Sequence, residues 1–158
     1  MSDKTNAARL CDNKSVEYIL IPYDTHDDNI DGKSVAKKLN IPEDEIFKTL
    51  VTRGKSSDIY VFVIPVSQEL DLKKAAKASG EKSIQMLPVK EILSATGYVK
   101  GGCSPLGMKK QYPTIFDETI ILLDKITFNA GKIGLQLQLP VTDLSKLLDY
   151  DVADLSND

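Results

Sequence analysis

The chain has 158 residues and a mass of 17.4 kDa, and it is 42% hydrophobic and 27% charged. This composition is ordinary for a soluble globular protein and excludes a disordered chain, a collagen and a coiled coil. We expect one domain over residues 1–158, because domains usually hold about 100–200 residues. The N-terminus is polar and the apolar runs are short. The sequence therefore predicts neither a secretory signal nor a membrane span, and the expected location is the cytoplasm.

The charges are unevenly distributed. The net charge is −3 and the pI is about 5.2, which argues against a general nucleic-acid binder. Residues 92–116 nevertheless contain Lys100, Lys109 and Lys110 and no acid, whereas residues 143–158 hold five aspartates and one lysine. This pattern is either ordinary surface variation or one anion-binding face on an acidic protein.

Hydrophobic periodicity and turn residues predict about five short helices and six or seven strands. In chain order the predicted elements are a helix at 6–13, a strand at 16–23, a helix capped by Asp31 or Ser34 and ending at Leu39, strands at 46–53 and 59–66, a helix capped by Asp71 and ended by Gly80, a helix at 88–95, strands at 113–116, 120–123, 126–129 and 133–139, and a closing helix from Thr142 or Asp143 to Leu148.

The strands and helices do not alternate strictly, so the order favours an α+β fold with a mixed, mainly antiparallel sheet over a doubly wound one. Short strands in this number could curl into a small β-barrel with the helices outside.

Several kinds of catalytic site lack their usual residues. The single histidine, His26, lies in an acidic loop, and Cys11 and Cys103 do not form a CxxC pair. The chain contains neither of the two glycine-rich phosphate-binding motifs, GxxxxGK(S/T) and GxGxxG. The sequence therefore does not indicate chemistry on nucleoside triphosphates or dinucleotides. His26 and the neighbouring aspartates could bind a metal, but the spacing of these residues along the chain matches neither a helical nor a strand arrangement of ligands. A thiol enzyme that pairs Cys103 with His26 stays open as an alternative.

Lys48 occupies an unusual position in its predicted strand. Because side chains alternate along a strand, Lys48 shares its face with Ile46 and Leu50. A lysine between two apolar residues either extends to solvent at a sheet edge or points into a pocket. In a pocket, an anionic or oxyanion ligand would offset the loss of hydration.

Two glycine-rich loops could bind an anion or a carbonyl oxygen. Residues 97–107 hold four glycines, whose amides can form a nest. The alternative is a tight loop that glycine and proline would build in any case. Residues 129–134 are similar in composition and lead into a strand with leucines on one face and Gln136 and Gln138 on the other.

Four separated motifs together resemble the YbaK/EbsC family over roughly residues 4–155. The motifs are Phe47-Lys48-Thr49-Leu50, Leu70-Asp71-Leu72-Lys73-Lys74, Thr96-Gly97-Tyr98 with Gly101-Gly102-x-Ser104-Pro105-Leu106-Gly107, and Gly131-Lys132-x-Gly134-Leu135. The family is related to the editing domain of bacterial prolyl-tRNA synthetases. The resemblance implies a small mixed β-barrel ringed by helices and an aminoacyl-tRNA deacylase that acts in trans, usually on Cys-tRNA(Pro).

The resemblance also implies a mechanism without a metal, a cofactor or a protein nucleophile. The cysteine thiol of the substrate attacks its own ester, and a cyclic thiolactone leaves the tRNA. In this scheme Lys48 anchors the acylated terminal adenosine, and the amides of Gly101 and Gly102 line the carbonyl oxygen. The implied partners are tRNA(Pro) and prolyl-tRNA synthetase.

Further site residues follow from the same resemblance. They are Tyr23, Ser104 and Pro105 in the amino-acid pocket. The local positive charge, and not the resemblance, predicts Lys100, Lys109 and Lys110 as contacts to tRNA phosphates. Two further pocket positions depart from the family, since Asn129 replaces a serine and Gln136 replaces an aspartate. A neutral amide pairs with an α-ammonium less strongly than a carboxylate does, so the amino acid removed stays open. The alternatives are a deacylase for another residue, such as Ala-tRNA(Pro), and a non-enzymatic module that binds tRNA or the synthetase.

Overall fold

The computed structural model describes residues 4–157, which form short helices around β-sheets. The α-helices are α1 (Asn6–Asn13), α2 (Gly32–Leu39), α3 (Leu72–Ser79) and α4 (Val89–Thr96). The strands are β1 (Ile19–Pro22), β2 (Phe47–Gly54), β3 (Ile59–Pro65), β4 (Glu69–Leu70), β5 (Ile84–Met86), β6 (Thr114–Asp117), β7 (Lys125–Lys132), β8 (Leu135–Pro140), β9 (Asp151–Ala153) and β10 (Ser156–Asn157). None of the helices in residues 4–157 has the length and apolar character needed to span a bilayer.

Side-chain caps fix where the helices begin. The side chains of Thr5, Asp31 and Asp71 accept hydrogen bonds from backbone N–H groups in the first turns of α1, α2 and α3. These N–H groups have no partner inside the helix, which is why short polar residues are favoured there. Gly80 ends α3 in the left-handed conformation, as its position in the sequence predicts.

The strands form an α+β fold with three sheets. The largest sheet has the order β5-β2-β3-β6-β9, the second has the order β1-β8-β7, and β10 pairs with β4. Most neighbours are antiparallel, and β6 is parallel to both β3 and β9. The predicted mixed, mainly antiparallel α+β class is therefore confirmed.

The prediction that the strands close into a barrel is wrong. The two larger sheets meet at one isolated parallel bridge between Ile46 and Thr127, and the sheets do not close into a barrel. β7 also has a bulge, between Asn129 and Lys132, in its pairing with β8. A bulge bends its strand and ends regular pairing.

Two predicted elements near the C-terminus differ in type. The predicted strand at 120–123 is a 3-10 helix, Glu118–Leu122, because the Asp117 side chain accepts a hydrogen bond from the Thr119 N–H and turns the chain. Ile121 and Leu122 consequently face solvent. The predicted closing helix is a 3-10 helix over Val141–Lys146. The short strands β4, β5, β9 and β10 were not predicted, since two or three residues carry too little pattern.

Strand β2 and the residue before it, Ile46, together contribute to all three hydrophobic clusters of the described residues. Phe47 and Val51 belong to the largest cluster, Leu50 packs against the second, and Ile46 belongs to the third. The two faces of β2 therefore meet different parts of the core. This arrangement holds the strand that carries Lys48 rigidly on both sides.

Two glycines with a left-handed backbone allow a test of the packing around the 97–107 loop. Gly107 (φ +72°) lies against α1, and a Cβ there would come within 2.7 Å of the Asn6 carbonyl carbon. Gly80 (φ +77°) has no atom within 4 Å of the same position. Gly80→Ala should cost about 1–2 kcal/mol of unfolding free energy through backbone strain alone.

Gly107→Ala should cost more than Gly80→Ala, because it adds a steric collision with the backbone of α1. Urea unfolding of the two variants measures the difference. Equal losses would show that the loop does not pack closely against α1.

Candidate functional site

The edge of β2 that faces away from β3 is only partly paired. On this side β5 pairs with Thr52, Arg53 and Gly54, and the bridge to β7 is at Ile46. Between these pairings, at residues 48–50, no strand of the described chain pairs with this edge of β2. An open edge presents backbone N–H and C=O groups that can bind another group.

Thr49 directs its backbone groups toward this gap. The Val66 N–H donates to the Ile46 carbonyl, so Ile46 and every second residue after it direct their backbone groups toward β3. Thr49 lies opposite Val63 in the alternate type of pair, and its N–H and C=O point the other way. The neighbouring Val51 follows the same rule, since its carbonyl accepts from the Leu87 N–H on that side.

A cavity of about 240 Å³ lies along the gap. Six of the predicted site residues line it: Tyr23, Lys48, Lys100, Gly101, Asn129 and Gln136. They come from β1's end, β2, the 97–107 loop, β7 and β8, which are far apart in sequence. The fold thus brings most of the predicted site together at one place.

Lys48 is a desolvated cation without a close counter-ion. The residue is half-buried, and within residues 4–157 the structure shows neither an acidic side chain within 4 Å of its Nζ nor a hydrogen bond from it. Burial lowers the pKa of Lys48 below its ordinary value of 10.5, while the more distant charge of Glu69 opposes this change. The absence of a close protein anion leaves the ammonium available for a ligand.

Two side chains of residues that line the cavity each hold a buried polar atom with no hydrogen-bond partner within the described residues. The two atoms are Thr49 Oγ1 and Gln136 Oε1. Both residues line the cavity, and Gln136 is only 5% exposed. An unpaired buried polar group costs about 1–3 kcal/mol, so such groups are rare unless a ligand or water completes them.

Asn129 connects the two glycine-rich loops. Its Nδ2 donates to the Gly101 carbonyl at 2.9 Å, and its Oδ1 accepts from the Gly131 and Lys132 N–H groups at 2.8 and 3.0 Å. The carboxamide is therefore occupied by the protein, although Asn129 lines the cavity. Its evident role is to hold the 97–107 loop against the bulge of β7.

Gly102, Ser104 and Pro105 are not among the residues that line the cavity. The Gly102 N–H donates to the Val99 carbonyl, so in this structure it is not free to stabilise a ligand oxygen. A Cβ on Gly102 would lie 3.0 Å from the Ile133 nitrogen, which indicates a packing role. Ser104 and Pro105 are buried within the 97–107 loop and do not line the cavity, and Ser104 Oγ accepts from the Leu106 N–H.

The three lysines predicted to contact phosphates are exposed but have different surroundings. Lys100 lines the cavity. Lys109 donates from Nζ to the Ser94 carbonyl, and Lys110 lies over the Tyr112 ring with its Nζ 5.7 Å from the centroid. Lys109 and Lys110 do not line the cavity. Phosphate binding by the three lysines stays a prediction.

The geometry does not favour the Cys103–His26 pair. Cys103 lines the cavity, but burial raises the pKa of its thiol to about 11, so the nucleophilic thiolate is scarce near neutral pH. The His26 side chain is 97% exposed, contacts Asp24, and is not part of the cavity lining. Among residues 4–157, no cluster of three or more His, Cys, Asp or Glu side chains could hold a metal ion.

Sequence reasoning missed Thr49 as a site residue. Thr49 lies inside one of the four motifs, but its alternation with Lys48 places its side chain on the other face of β2. Only the gap at the strand edge shows that one cavity reaches both faces.

The sequence model of the aminoacyl-tRNA editing domain family matches residues 30–147 of this chain, which include β2, the 97–107 loop and Gln136. The chain belongs to the aminoacyl-tRNA editing domain family. This agrees with the resemblance to the YbaK/EbsC group found in the sequence.

Relatives of this family member differ in length. The chain is 43% identical over 153 residues to an Enterococcus faecalis protein with the provisional name Cys-tRNA(Pro)/Cys-tRNA(Cys) deacylase EbsC, with coverage of 97% of this chain and 93% of the relative. It is 35% identical over 78 residues to the proline–tRNA ligase of Thermosipho africanus, which covers 49% of this chain and 14% of the ligase. A solved structure described as a candidate trans-editing enzyme for prolyl tRNA synthetase has a TM-score of 0.82 and 22% identity, and 99% of this chain and 100% of that one are covered. The last comparison shows the shared fold.

Asn129→Asp tests the connection between the loops. The substitution keeps an acceptor for the Gly131 and Lys132 amides but replaces the donor to the Gly101 carbonyl by an anion. Because one hydrogen bond is worth about 0.5–1.5 kcal/mol, the Gly102 amide should exchange its hydrogen up to about tenfold faster, while the Gly131 and Lys132 amides keep their protection. Hydrogen exchange by NMR measures this. Unchanged exchange at Gly102 would contradict the role of Asn129.

Proposed function

We propose that the protein is an aminoacyl-tRNA deacylase that acts in trans and releases cysteine from mischarged Cys-tRNA(Pro). The observation that carries the proposal is the desolvated, unpaired Lys48 in a cavity that Gly101 also lines, together with Thr49 and Gln136, whose side chains each hold a polar atom without a partner in the described residues. Family membership and the deacylase name of the Enterococcus relative support it. Residues 1–158 act as one editing domain, and the substrate places that action in the cytoplasm.

Lys48 binds the acylated end of the tRNA. Its ammonium interacts with the oxygen-rich terminal adenosine and anchors the ester beside the β2 edge. The interaction is strong because the cavity removes water from the cation, and in a low dielectric an attraction between charge and dipole grows. Precise anchoring matters because holding reacting groups together accounts for about 7–11 kcal/mol of a barrier.

Backbone amides stabilise the oxygen of the ester carbonyl as it becomes negative. With the Gly102 amide engaged, the Gly101 N–H and the Thr49 N–H at the strand gap take this role. Each oxyanion donor of this kind is worth about 2.7–4 kcal/mol in other enzymes. Both amides are held by the fold, so little reorganisation is needed during the reaction.

The bond that breaks is the ester bond to the terminal ribose. The substrate sulfur attacks the ester carbon, a carbon–sulfur bond forms, and the bond from that carbon to the ribose oxygen breaks. The thiol proton ends on the ribose oxygen, which leaves a free tRNA hydroxyl and a cyclic thiolactone. This route requires no nucleophile from the protein, in keeping with a Cys103 that is held as a thiol.

Gln136 orients the amino group of the substrate. Its buried Oε1 has no donor among the described residues, and the substrate α-ammonium carries three N–H donors. The pairing is weaker than one with a carboxylate, because only one partner is charged. Lys100, Lys109 and Lys110 extend the site toward the tRNA phosphates, and prolyl-tRNA synthetase is the proposed partner that delivers the substrate.

A panel of mischarged tRNAs tests the proposed substrate. The protein should release cysteine from Cys-tRNA(Pro) and fail to release serine from Ser-tRNA(Pro), because a hydroxyl is a much weaker nucleophile than a thiol. Cys103→Ala should retain activity. Labelled amino acid released per minute is the readout. Tight tRNA binding without release of any amino acid would instead identify a binding module, and inactivity of Cys103→Ala would identify a thiol enzyme.

Lys48→Met should lower the rate of deacylation by about two orders of magnitude or more, as loss of a preorganised electrostatic group does in other enzymes. The same change should leave stability unchanged or raise it near neutral pH, because it removes a desolvated cation from a half-buried site. Deacylation rates and urea unfolding measure the two effects.

The stability difference has a defined pH dependence. Since the folded pKa of Lys48 is lower than the unfolded value, the unfolded state binds more protons in the alkaline window that ends near 10.5. Wild-type stability relative to Lys48→Met should therefore rise with pH through that window. A Lys48→Met variant that deacylates the tRNA at the wild-type rate would contradict the role of Lys48.

A further inference from the structure

The cavity has two chemically different sides, because it straddles the open edge of β2. Ile46, Lys48 and Leu50 project from one face of the strand, and Phe47, Thr49 and Val51 project from the other. All six residues line the cavity. The Lys48 side holds the cation, so the two sides offer different environments to a ligand.

The Thr49 side is apolar apart from small groups. Phe47, Val51, Ile92 and Cys103 belong to the largest hydrophobic cluster, and all four line the cavity. The Cys103 sulfur is held as a protonated thiol. In this setting the hydroxyl of Thr49 is a strong hydrogen-bonding group without a partner in the described chain.

We propose that the Thr49 side of the cavity receives the side chain of the amino acid, and that the Thr49 hydroxyl determines specificity by hydrogen bonding to the substrate thiol. This inference rests on the proposed deacylase function. The subsite accepts a small side chain that is apolar along its length and carries one hydrogen-bonding atom at its end. A cysteinyl group meets both conditions, and its S–H is a weak donor that Thr49 Oγ1 can accept.

An alanyl group fits the same space but leaves the Thr49 hydroxyl unpaired. A site with a buried polar group discriminates against ligands that cannot pair with it, since the cost of the unpaired group then remains in the complex. In addition to the thiol that the reaction itself requires, the hydroxyl thus favours binding of cysteine over alanine, whereas shape alone discriminates little between two side chains this small. The backbone N–H of Thr49 is separate from this role and survives substitution.

Thr49→Val tests the role, because valine keeps the shape and the N–H and removes only the hydroxyl. Thr49→Ser restores the hydroxyl. Thr52→Val is the matched control, since Thr52 lies in the same strand, is fully buried and donates from Oγ1 to the Tyr60 carbonyl at 2.9 Å. The assays are single-turnover deacylation of Cys-tRNA(Pro) and Ala-tRNA(Pro) by the full-length protein, together with thermal unfolding.

Thr49→Val should lower the rate with Cys-tRNA(Pro) about three- to tenfold, the change expected for one hydrogen bond, and should leave the rate with Ala-tRNA(Pro) within twofold. If neither the wild-type protein nor Thr49→Val deacylates Ala-tRNA(Pro) faster than the uncatalysed reaction, the rate with this substrate counts as unchanged. Thr49→Ser should recover most of the cysteine rate. Thr49→Val should not lower the melting temperature, because the hydroxyl has no protein partner to lose, whereas Thr52→Val should lower it and keep the ratio of the two rates.

Other outcomes overturn the inference. Three results for Thr49→Val would each show that the hydroxyl does not select the substrate. They are an unchanged rate with Cys-tRNA(Pro), equal losses of rate with both substrates, and a melting temperature as low as that of Thr52→Val. Failure of the wild-type protein to deacylate either tRNA would overturn the proposed function instead, so the two failures are distinguishable.

Discussion

The central constraint is that β2 lies in the middle of a sheet and yet leaves part of one edge unpaired. The bridge at Ile46 holds β2 against β7, and β5 pairs only from Thr52 onward, so the gap falls at residues 48–50. β7 has a bulge that begins at Asn129, and Asn129 connects this bulge to the 97–107 loop through its hydrogen bond to the Gly101 carbonyl. Strand pairing therefore creates both the cavity and its backbone donors.

Several groups in this site lower the free energy of unfolding of the protein. A half-buried ammonium lacks a close counter-ion, and two buried side-chain oxygens lack donors or acceptors among residues 4–157. The unpaired oxygens alone cost about 1–3 kcal/mol each, a large fraction of the 5–15 kcal/mol by which most domains are stable. The surrounding clusters and the rigid β2–β3 pairing compensate for these costs. Such groups are expected where a ligand supplies the missing partners during function.

Much of the fold could be predicted because its signals are local. The capping residues Asp31 and Asp71 and the terminating Gly80 fix helix ends, and the alternation around Lys48 fixes its strand. The strand expected at 120–123 was wrong because one Asp117 side chain turns the chain, a competition that hydrophobicity does not reveal. The barrel prediction failed for a longer-range reason, since closure depends on how two sheets meet, and here they share one isolated bridge between Ile46 and Thr127.

The site was predictable in part, and the resemblance supplied most of it. Lys48, Gly101 and Gln136 were found from their motifs and share the cavity. The donor role of Gly102 could not be judged, because it depends on one turn hydrogen bond to Val99. Thr49 was missed because a residue on the opposite face of a strand is normally excluded from a site. It belongs to this one only because β2 ends its pairing beside the cavity.

The most direct test is a crystal structure of the protein with a stable analogue of the substrate end, an adenosine whose cysteinyl ester is replaced by an amide. The structure should show the acyl group in the cavity between Lys48 and Gly101, with its carbonyl oxygen within hydrogen-bond distance of the Gly101 or Thr49 N–H. An analogue bound elsewhere, with the Lys48 ammonium directed into solvent, would contradict the account.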